Sequence, residues 1–395
     1  MLQPFSVGAL PHILFGEGRL SELPEIAGRF GRRLLIVTGA RSFQETPQWP
    51  RLMTGLRAAG FGFVQFTVDG EPSPQLVDVA VAAHRSDGID VVVGIGGGSV
   101  LDAAKAIAGL LRHGNPVMDH LEGAGPELPY QGPSTPFIAV PTTAGTGSEA
   151  TKNAVLGVRG PGGFKKSFRH DLLVPRVAIV DPALLAGCPP SLIAANGMDA
   201  LTQLLESYVS LRASAFTDAL AVSGLAAVRD GLLPWYEQGS GVGDARAAMA
   251  YAALLSGITL AQAGLGSVHG LASPVGALFP VPHGVVCGTL VAAATAINIS
   301  VLERRAPSHV ALQKYAHAGR LLSGHGNLPD ADARQRLVDL LADWTRRMDL
   351  PRLAHYGVTA GDFGAIISGC RGSSMRTNPV VLDDAEVREI LQART

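Results

Sequence analysis

The residues best suited to chemistry lie where an apolar run ends in three consecutive glycines. Val91–Lys105 reads VVVGIGGGSVLDAAK, a strand pattern that passes through Gly96–Gly98 into a helical pattern opening with Ser99 and Asp102. Glycine lets backbone approach a ligand closely, and a helix N-terminus offers free N–H groups and a positive dipole end to an anion. The segment could therefore hold a diphosphate. Its spacing is not that of the usual dinucleotide fingerprint, so a tight turn without a ligand stays open.

A second segment has the same design. Pro141–Glu149 reads PTTAGTGSE and follows another apolar run, Thr135–Val140. A second strand thus delivers small and hydroxylated residues at its carboxyl end, which is where ligands bind in open α/β sheets. The two segments together favour a nucleotide pocket.

The surrounding sequence predicts the elements that position these segments. In the first half, strand patterns at Leu34–Val37, Phe61–Phe66 and Val91–Val93 alternate with helical patterns near 48–59 and 74–86. Such alternation is typical of βαβ units with a mostly parallel sheet. From about residue 190 onward the chain is rich in alanine and leucine at helical spacing, and glycine and proline interrupt it at 231–234, 240–243 and 280–284.

We therefore expect two domains. Residues 1–185 should form an α/β nucleotide-binding domain with a mostly parallel sheet, and residues 186–395 an all-α domain. The site should lie in the cleft between them, because enzyme pockets often occupy domain interfaces.

Composition excludes several other classes. The 395 residues are 47% hydrophobic and carry a formal net charge of −1, which gives no bias toward nucleic acid. The sequence shows neither a signal-peptide pattern nor a run of about 20 apolar residues, so we expect no membrane partner. Only three cysteines are present, Cys188, Cys287 and Cys370, which disfavours a disulfide framework and suits a reducing cytoplasm. We expect each to be a small buried residue.

The two motifs, GGGSVLDAAK and PTTAGTGSEAT in this order, resemble those of the iron-containing (group III) alcohol dehydrogenases, which share their fold with dehydroquinate synthase. The resemblance covers the whole chain and includes further short segments: Phe15–Gly18, Asp119–Gly123, Val180–Pro182, Gly197–Leu201, Pro282–Gly284 and Asn378–Pro379. It implies an NAD(P)-dependent oxidoreductase that moves a hydride between nicotinamide C4 and a small alcohol or carbonyl compound.

The resemblance also implies roles for residues of the first domain. Gly97, Gly98 and Ser99 should contact the pyrophosphate, while Asp102 lies near the nicotinamide-side ribose or stabilises the turn. The remaining positions that match cofactor-binding residues of the family are Thr142, Thr143 and Thr146, which line the cofactor, and Asn153 and Lys165, which reach ribose hydroxyls. For Lys165 an alternative is a solvated lysine pair with Lys166.

The end of the strand at residues 34–37 bears on the choice of cofactor. NAD-binding proteins place a carboxylate there, which would repel a 2′-phosphate. This chain has Gly39 at that position, and Arg41 and Ser42 could supply a charge and a hydroxyl to the phosphate. We expect NADP(H) to be favoured over NAD(H). The alternative is that Arg41 is a solvated loop residue and both cofactors are accepted.

The metal site departs from the family pattern of one aspartate and three histidines. Asp199, His269 and His283 match ligands, but Gln203 replaces the first histidine, and Ser273 replaces a histidine credited with proton relay. Aspartate and two histidines could still bind Fe²⁺ or Zn²⁺. Gln203 would be a weak or absent ligand, so occupancy is an open question.

Two mechanisms of reduction and two other functional classes follow from these residues. With a metal, the ion would polarise the substrate oxygen. Without one, His269 or His283 could act as general acid, and the resemblance extends to the maleylacetate reductases, which reduce carbonyls without a bound ion. A dehydroquinate synthase-like lyase and a catalytically silent nucleotide-binding protein stay open, although the motifs match the dehydrogenase branch better.

The substrate itself is beyond the sequence, and a small alcohol or aldehyde is the expectation. From the cysteines and the absence of a signal-peptide pattern we expect a cytoplasmic protein, and by resemblance we expect a homodimer formed through a first strand at residues 3–8.

Overall fold

The computed structural model describes residues 3–160 and 162–395. The chain divides into two compact units. One contains residues 8–158 and 165–187, and the other contains residues 1–7, 159–164 and 188–395. The division into domains at 1–185 and 186–395 stays a prediction about independent folding.

The unit that contains residues 8–158 and 165–187, called the α/β unit below, is built on a six-stranded parallel sheet. Its strand order is β1-β8-β5-β4-β2-β3, and the pairings that join these strands are parallel. β6 and β7 pair as a separate two-stranded sheet. The strands are β1 (His12–Phe15), β2 (Arg33–Gly39), β3 (Gly62–Val68), β4 (Val91–Gly96), β5 (Phe137–Pro141), β6 (Asn153–Val158), β7 (Phe164–Arg169) and β8 (Val177–Val180). The mostly parallel sheet predicted from the βαβ pattern is confirmed.

Helices cover both faces of this sheet. They are α1 (Leu23–Gly28), α2 (Gln48–Ala58), α3 (Pro74–His84) and α4 (Gly98–Leu110). Alternate residues of β2, β4, β5 and β8 pack with α1 and α2 in one core, which includes Leu34, Ile36, Val93, Ile138 and Leu52. α4 packs on β4 and β5, and α3 packs beside α4. Burial on both faces explains why the central strands are continuous apolar runs rather than alternating ones.

The second unit is helical. Its helices are α5 (Pro190–Val209), α6 (Ala215–Gln238), α7 (Gly243–Ala263), α8 (Ser267–Leu278), α9 (His283–Arg305), α10 (Val310–Ser323), α11 (Asp330–Arg347), α12 (Phe363–Gly369) and α13 (Asp384–Gln392). α5 is central, because it packs against α6, α7 and α9. The prediction of a helical second half is confirmed.

One predicted helix break is wrong. Gly231 and Pro234 lie inside α6 rather than between helices. A Cβ on Gly231 would stand 2.7 Å from the Ala245 carbonyl oxygen, so glycine is the residue that lets α7 pack closely there. Tertiary packing therefore outweighs the low helix propensity of these two residues.

The predicted first strand at residues 3–8 is also absent. Residues 3–11 are in no helix or strand, and the first strand is β1. Phe5 is half exposed, with its ring stacked at 6.3 Å on that of Phe216. Strand structure needs a neighbouring backbone to pair with along several residues, and the ladders of the sheet begin only at His12.

α9 is long and apolar enough, by length and composition, to cross a membrane. Most of it is packed inside the helical unit, however, with 72% of its most apolar window buried. α7 and α8 pass the same test only as a pair, and they are bent by 99°.

Candidate functional site

The two glycine-containing motifs come off adjacent strands. β4 pairs with β5 in a register that places Gly96 opposite Pro141, and the Thr142 N–H donates to the Gly96 carbonyl at 3.0 Å. α4 begins at Gly98, so its N-terminus faces the loop that follows β5. The structure thereby brings together the segments that the sequence indicated separately.

Close packing between these loops explains the glycines in part. A Cβ on Gly98 would stand 2.7 Å from Thr146 Oγ1 and Cγ2, and one on Gly97 would stand 3.3 Å from Thr143 Oγ1. Ser99 follows in the first turn of α4 and is partly exposed. The missing side chains therefore leave room for the threonines as well as access to the N–H groups of the first turn.

The strand order reverses between β2 and β4. From β2 the chain continues to β3 on one side, and from β4 it continues to β5 on the other. Open α/β sheets bind ligands outside such a switch point. Gly39 ends β2 at this edge, Arg41 and Ser42 are exposed just beyond it, and Gln44 donates to Thr38 Oγ1 at 2.8 Å.

A buried lysine ties the two motifs together beneath the loops. Lys105 of α4 is fully buried, and its Nζ donates to the Ser148 carbonyl and Oγ, to Thr151 Oγ1 and to the Asn153 carbonyl at 2.7–3.0 Å. Burial lowers the pKa of Lys105 to about 8. Burial likewise raises the pKa of the nearby Glu149 to about 7. Sequence reasoning missed Lys105, since a lysine in an apolar helical run looks like a surface residue.

Asp102 belongs to the same network. It accepts from Ser148 Oγ at 2.5 Å and from the Val155 N–H at 3.1 Å. Burial raises the pKa of Asp102, against the charge of Lys105 and the hydrogen bond from Ser148. Of the two roles considered for Asp102, these contacts suit stabilisation of the turn.

The two residues expected at the ribose lie on β6 and β7. Asn153 begins β6 and its carbonyl binds Lys105. Lys165 of β7 is not a solvated lysine, because its side chain is 14% exposed and its Nζ lies 3.0 Å from Glu71 Oε1.

Four donor groups converge in the helical unit. One atom each from Asp199, His269, His283 and Cys287 lie within 4.8 Å of one another. Asp199 Oδ1 is 3.2 Å from His269 Nε2 and 3.7 Å from His283 Nε2. Asp199 is 1% exposed, and its Oδ2 atom has no hydrogen-bond partner among the described residues. A buried carboxylate oxygen without a donor among imidazoles and a thiol is the environment of a metal ligand.

Three helices bring these donors together. Asp199 lies in α5, His269 in α8 and His283 at the start of α9. A Cβ on Gly284 would stand 2.3 Å from the Ala195 carbonyl oxygen, so the close approach of α9 to α5 depends on glycine at this position.

Glu206 contacts the ring nitrogen of His269 that faces away from Asp199. It lies two helical turns after Asp199 on α5, and its carboxylate accepts from the Gly266 and Val268 N–H groups at 3.0 and 2.7 Å. Its Oε2 atom is also 2.7 Å from His269 Nδ1. This contact orients the ring, so that Nδ1 faces Glu206 and Nε2 faces Asp199. Sequence reasoning missed Glu206, although its i+7 spacing from Asp199 was a signal.

Gln203 faces the cluster with its nitrogen. Its Nε2 atom is 3.5 Å from Asp199 Oδ1, while its Oε1 atom accepts from Ser256 Oγ at 2.9 Å. In this arrangement the amide oxygen is turned away from the other donors. Ser273 is partly exposed on α8, one helical turn after His269.

The charges of the cluster are strongly coupled. Burial by itself would lower the pKa of His269, but the Cys287 sulfur and hydrogen bonds to Asp199 and Glu206 raise it well above its usual value. Burial by itself would raise the pKa of Asp199, but His283 and His269 hold it below its usual range. Burial raises the pKa of the Cys287 thiol to about 12.

Comparisons with known proteins show the family of the chain. Residues 11–182 match the family described as iron-containing alcohol dehydrogenase, and residues 193–395 match its C-terminal family. The chain is 32% identical over 371 residues to "Probable alcohol dehydrogenase EutG" of Escherichia coli (strain K12), covering 93% of this chain and 89% of that protein. It is 30% identical to "NADPH-dependent butanol dehydrogenase" of Clostridium saccharobutylicum, covering 96% and 95% of the two chains.

A solved structure shares the fold over its full length. The crystal structure of a 1,3-propanediol oxidoreductase superposes with a TM-score of 0.90 at 27% identity, covering 100% of both chains. Both halves of the sequence and the whole fold thus lead to one conclusion, that this chain belongs to the iron-containing alcohol dehydrogenase family and is an alcohol and aldehyde oxidoreductase.

Proposed function

We propose that this oxidoreductase is metal-dependent, prefers NADP(H) and interconverts small primary alcohols and aldehydes. The observation that supports metal dependence is the buried Asp199 carboxylate, which stands among three further ligand-type groups and whose Oδ2 atom has no hydrogen-bond donor among the described residues. Similarity to an NADPH-dependent butanol dehydrogenase supports a small alcohol and NADPH. A panel of short aldehydes assayed by NADPH oxidation tests the substrate class, and no turnover with any of them would refute it.

Asp199, His269 and His283 would hold the ion, which family membership implies is divalent. When bound, such an ion acts as a Lewis acid on the substrate oxygen and lowers the pKa of an alcohol. The bound nicotinamide supplies or accepts the hydride at C4. Asp199 supplies the negative charge of the site, and Glu206 keeps the His269 Nε2 lone pair directed at it. Gln203 orients Asp199 through its amide nitrogen and is not a ligand in this proposal.

Replacing Glu206 by glutamine is expected to weaken binding of Zn²⁺ about 10–100-fold, the usual effect of removing a carboxylate that orients a ligating histidine. Competition against a chelating dye measures the affinity. Glu386→Gln is the matched control, because both carboxylates have 8% exposed side chains in the helical unit, and Glu386 instead pairs with Arg304 and Arg305. Equal affinities for the two variants would contradict the proposed role of Glu206.

The cofactor would lie across the switch point of the sheet. Gly97, Gly98 and Ser99 would present N–H groups to the pyrophosphate, and Thr142, Thr143 and Thr146 would line the pocket. We keep Asn153 and Lys165 as proposed ribose contacts, with Asp102 bracing the loop. Arg41 is exposed beside Gly39, and its guanidinium has no ion pair among residues 3–160 and 162–395, so it is available for a 2′-phosphate.

A carboxylate at Gly39 should change the cofactor preference. The nearest atoms to a Cβ there are Val100 Cγ2 at 3.7 Å and Ser42 Oγ at 3.8 Å, so Gly39→Asp fits without strain. Repulsion of like charges costs several kcal/mol, and about 1.4 kcal/mol is already tenfold. We expect kcat/KM for NADPH relative to NADH to fall by about tenfold or more.

Gly39→Ala adds the same Cβ without charge and should leave the ratio of the two kcat/KM values unchanged. A wild-type enzyme that prefers NADH, or an unchanged ratio in Gly39→Asp, would refute the NADP(H) proposal.

We also propose a homodimer in the cytoplasm. Phe5, Val7 and Leu10 lie in a segment that forms no helix or strand, and each exposes 38–50% of its surface, which supports an association through this apolar N-terminal segment. Solution scattering tests the homodimer, and a monomer would refute it.

The proposed cytoplasmic location is supported by the free cysteines Cys188, Cys287 and Cys370, which suit a reducing compartment. Cell fractionation tests the location.

A further inference from the structure

The cluster around Asp199 contains a donor that the sequence pattern did not indicate. Cys287 lies four residues after His283, one turn further along α9, so both side chains lie on the same face of the helix. Cys287 is completely buried, and its Sγ atom is 3.6 Å from His269 Nε2 and 3.8 Å from His283 Nε2. The thiol thus contacts both histidines that the proposed ion site uses.

These distances are those of groups arranged around one ion. With Zn–S bonds of about 2.3 Å and Zn–N bonds of about 2.0–2.1 Å, tetrahedral sulfur and nitrogen ligands stand about 3.5 Å apart, and nitrogen and oxygen ligands about 3.3 Å apart. The observed sulfur–nitrogen distances are 3.6 and 3.8 Å. The oxygen–nitrogen distances from Asp199 Oδ1 are 3.2 and 3.7 Å.

Gln203 does not occupy the fourth ligand position, so the Cys287 sulfur can. Gln203 turns its carbonyl oxygen to Ser256, and its nitrogen, which is a donor and not a ligand, faces Asp199. Asp199 Oδ2 has no hydrogen-bond donor among residues 3–160 and 162–395, which independently supports a cation bound by this carboxylate, because a buried carboxylate oxygen otherwise needs a donor.

We propose that Cys287 is the fourth protein ligand of the metal, in place of a side chain at position 203. The inference rests on the proposed metal dependence. On binding, the S–H bond of Cys287 breaks, its proton leaves to solvent, and the thiolate forms a sulfur–metal bond. A thiolate among imidazoles and one carboxylate selects Zn²⁺ over Fe²⁺.

Cobalt substitution tests the proposal directly, because a thiolate bound to Co²⁺ produces a sulfur-to-metal charge-transfer absorption that nitrogen and oxygen ligands do not. The full-length protein is stripped with a chelator and titrated with Co²⁺, and then Zn²⁺ is added in competition. We compare the wild type with Cys287→Ser and with the control Cys370→Ser. The Cys370 thiol is also completely buried in the helical unit, but it donates a hydrogen bond to the Ile367 carbonyl.

We expect the charge-transfer band in the wild type and in Cys370→Ser, and its loss in Cys287→Ser. Zn²⁺ affinity in Cys287→Ser should fall by more than about 100-fold. Even the loss of a residue that only hydrogen-bonds to a metal ligand lowers metal affinity by about 10–100-fold. Thermal unfolding of the metal-free proteins, together with Cys287→Ala, shows whether the fold is kept.

Two results would overturn the inference and are distinguishable. Stoichiometric Co²⁺ binding without the band, and with equal affinity in Cys287→Ser, would remove Cys287 from the site and leave the three-ligand ion of the proposed function in place. No Co²⁺ or Zn²⁺ binding by the wild type would overturn both.

Discussion

Replacing Asp199 by asparagine is expected to lower kcat/KM for aldehyde reduction by about 10³-fold or more and to abolish stoichiometric metal binding. The variant keeps the shape of the side chain but removes its charge, and an amide could direct an N–H at the histidines instead of a lone pair. A metal ion contributes several kcal/mol of charge stabilisation in the transition state, and about 4 kcal/mol corresponds to 10³-fold. Steady-state kinetics and elemental analysis of the purified variant measure both effects.

Asp218→Asn is the control for this variant. Asp218 lies in the same unit, has a 30% exposed side chain and pairs with Lys314 at 2.7 Å. It should keep both metal content and activity. Full activity in Asp199→Asn would show that the reaction does not depend on this carboxylate, and the metal-independent alternative with a histidine as general acid would be favoured.

Replacing Lys105 by methionine is expected to lower the free energy of unfolding by about 3–5 kcal/mol, the range for removing one partner from a buried charge network. Methionine has a similar length but leaves the Ser148 and Asn153 carbonyls without their donor. The carboxylate of Asp102, 3.9 Å from the ammonium, also loses its cation. Because Lys105 joins the two motifs, NADPH affinity should fall as well. Urea unfolding and fluorescence titration measure the two quantities.

Lys152→Met serves as the comparison for Lys105. Lys152 pairs with Asp171 at 2.7 Å in the same unit, but the two side chains are 37% and 67% exposed. Exposed pairs contribute only about 0–1 kcal/mol. If Lys105→Met were no less stable than Lys152→Met, the buried network would not hold the motifs together.

The nucleotide-binding half was predictable because its signals are local. The apolar runs that became β2, β4 and β5 are each followed by the small residues that end them, and the parallel βαβ pattern places the carboxyl ends of neighbouring strands at one edge. Short segments also indicated Asp199, His269 and His283, through the family resemblance, and the structure places the three in one cluster. For Gly98, the sequence pointed to a ligand or a tight turn, whereas the structure adds packing against Thr146 as a third reason for glycine.

The features that the sequence could not predict depend on contacts between residues far apart in the chain. Glu206 acts on His269, which is 63 residues away, and Lys105 acts on Ser148, which is 43 residues away. Cys287 was expected to be a small buried residue, and it is buried, but its contact with His269 depends on how α9 meets α8. Gly231 was wrongly predicted to interrupt a helix for the same reason. The glycine allows α7 to pack closely against α6, which the local sequence does not show.

The central claim, a metal-dependent NADP(H)-linked oxidoreductase, is tested most directly by metal content together with activity. The purified protein is assayed by elemental analysis and by NADPH-linked aldehyde reduction, before and after chelation and after addition of Zn²⁺ or Fe²⁺. We predict near-stoichiometric metal, loss of activity on chelation and recovery with Zn²⁺. Full activity in protein shown to be free of metal would contradict the account and place the chain with metal-independent carbonyl reductases.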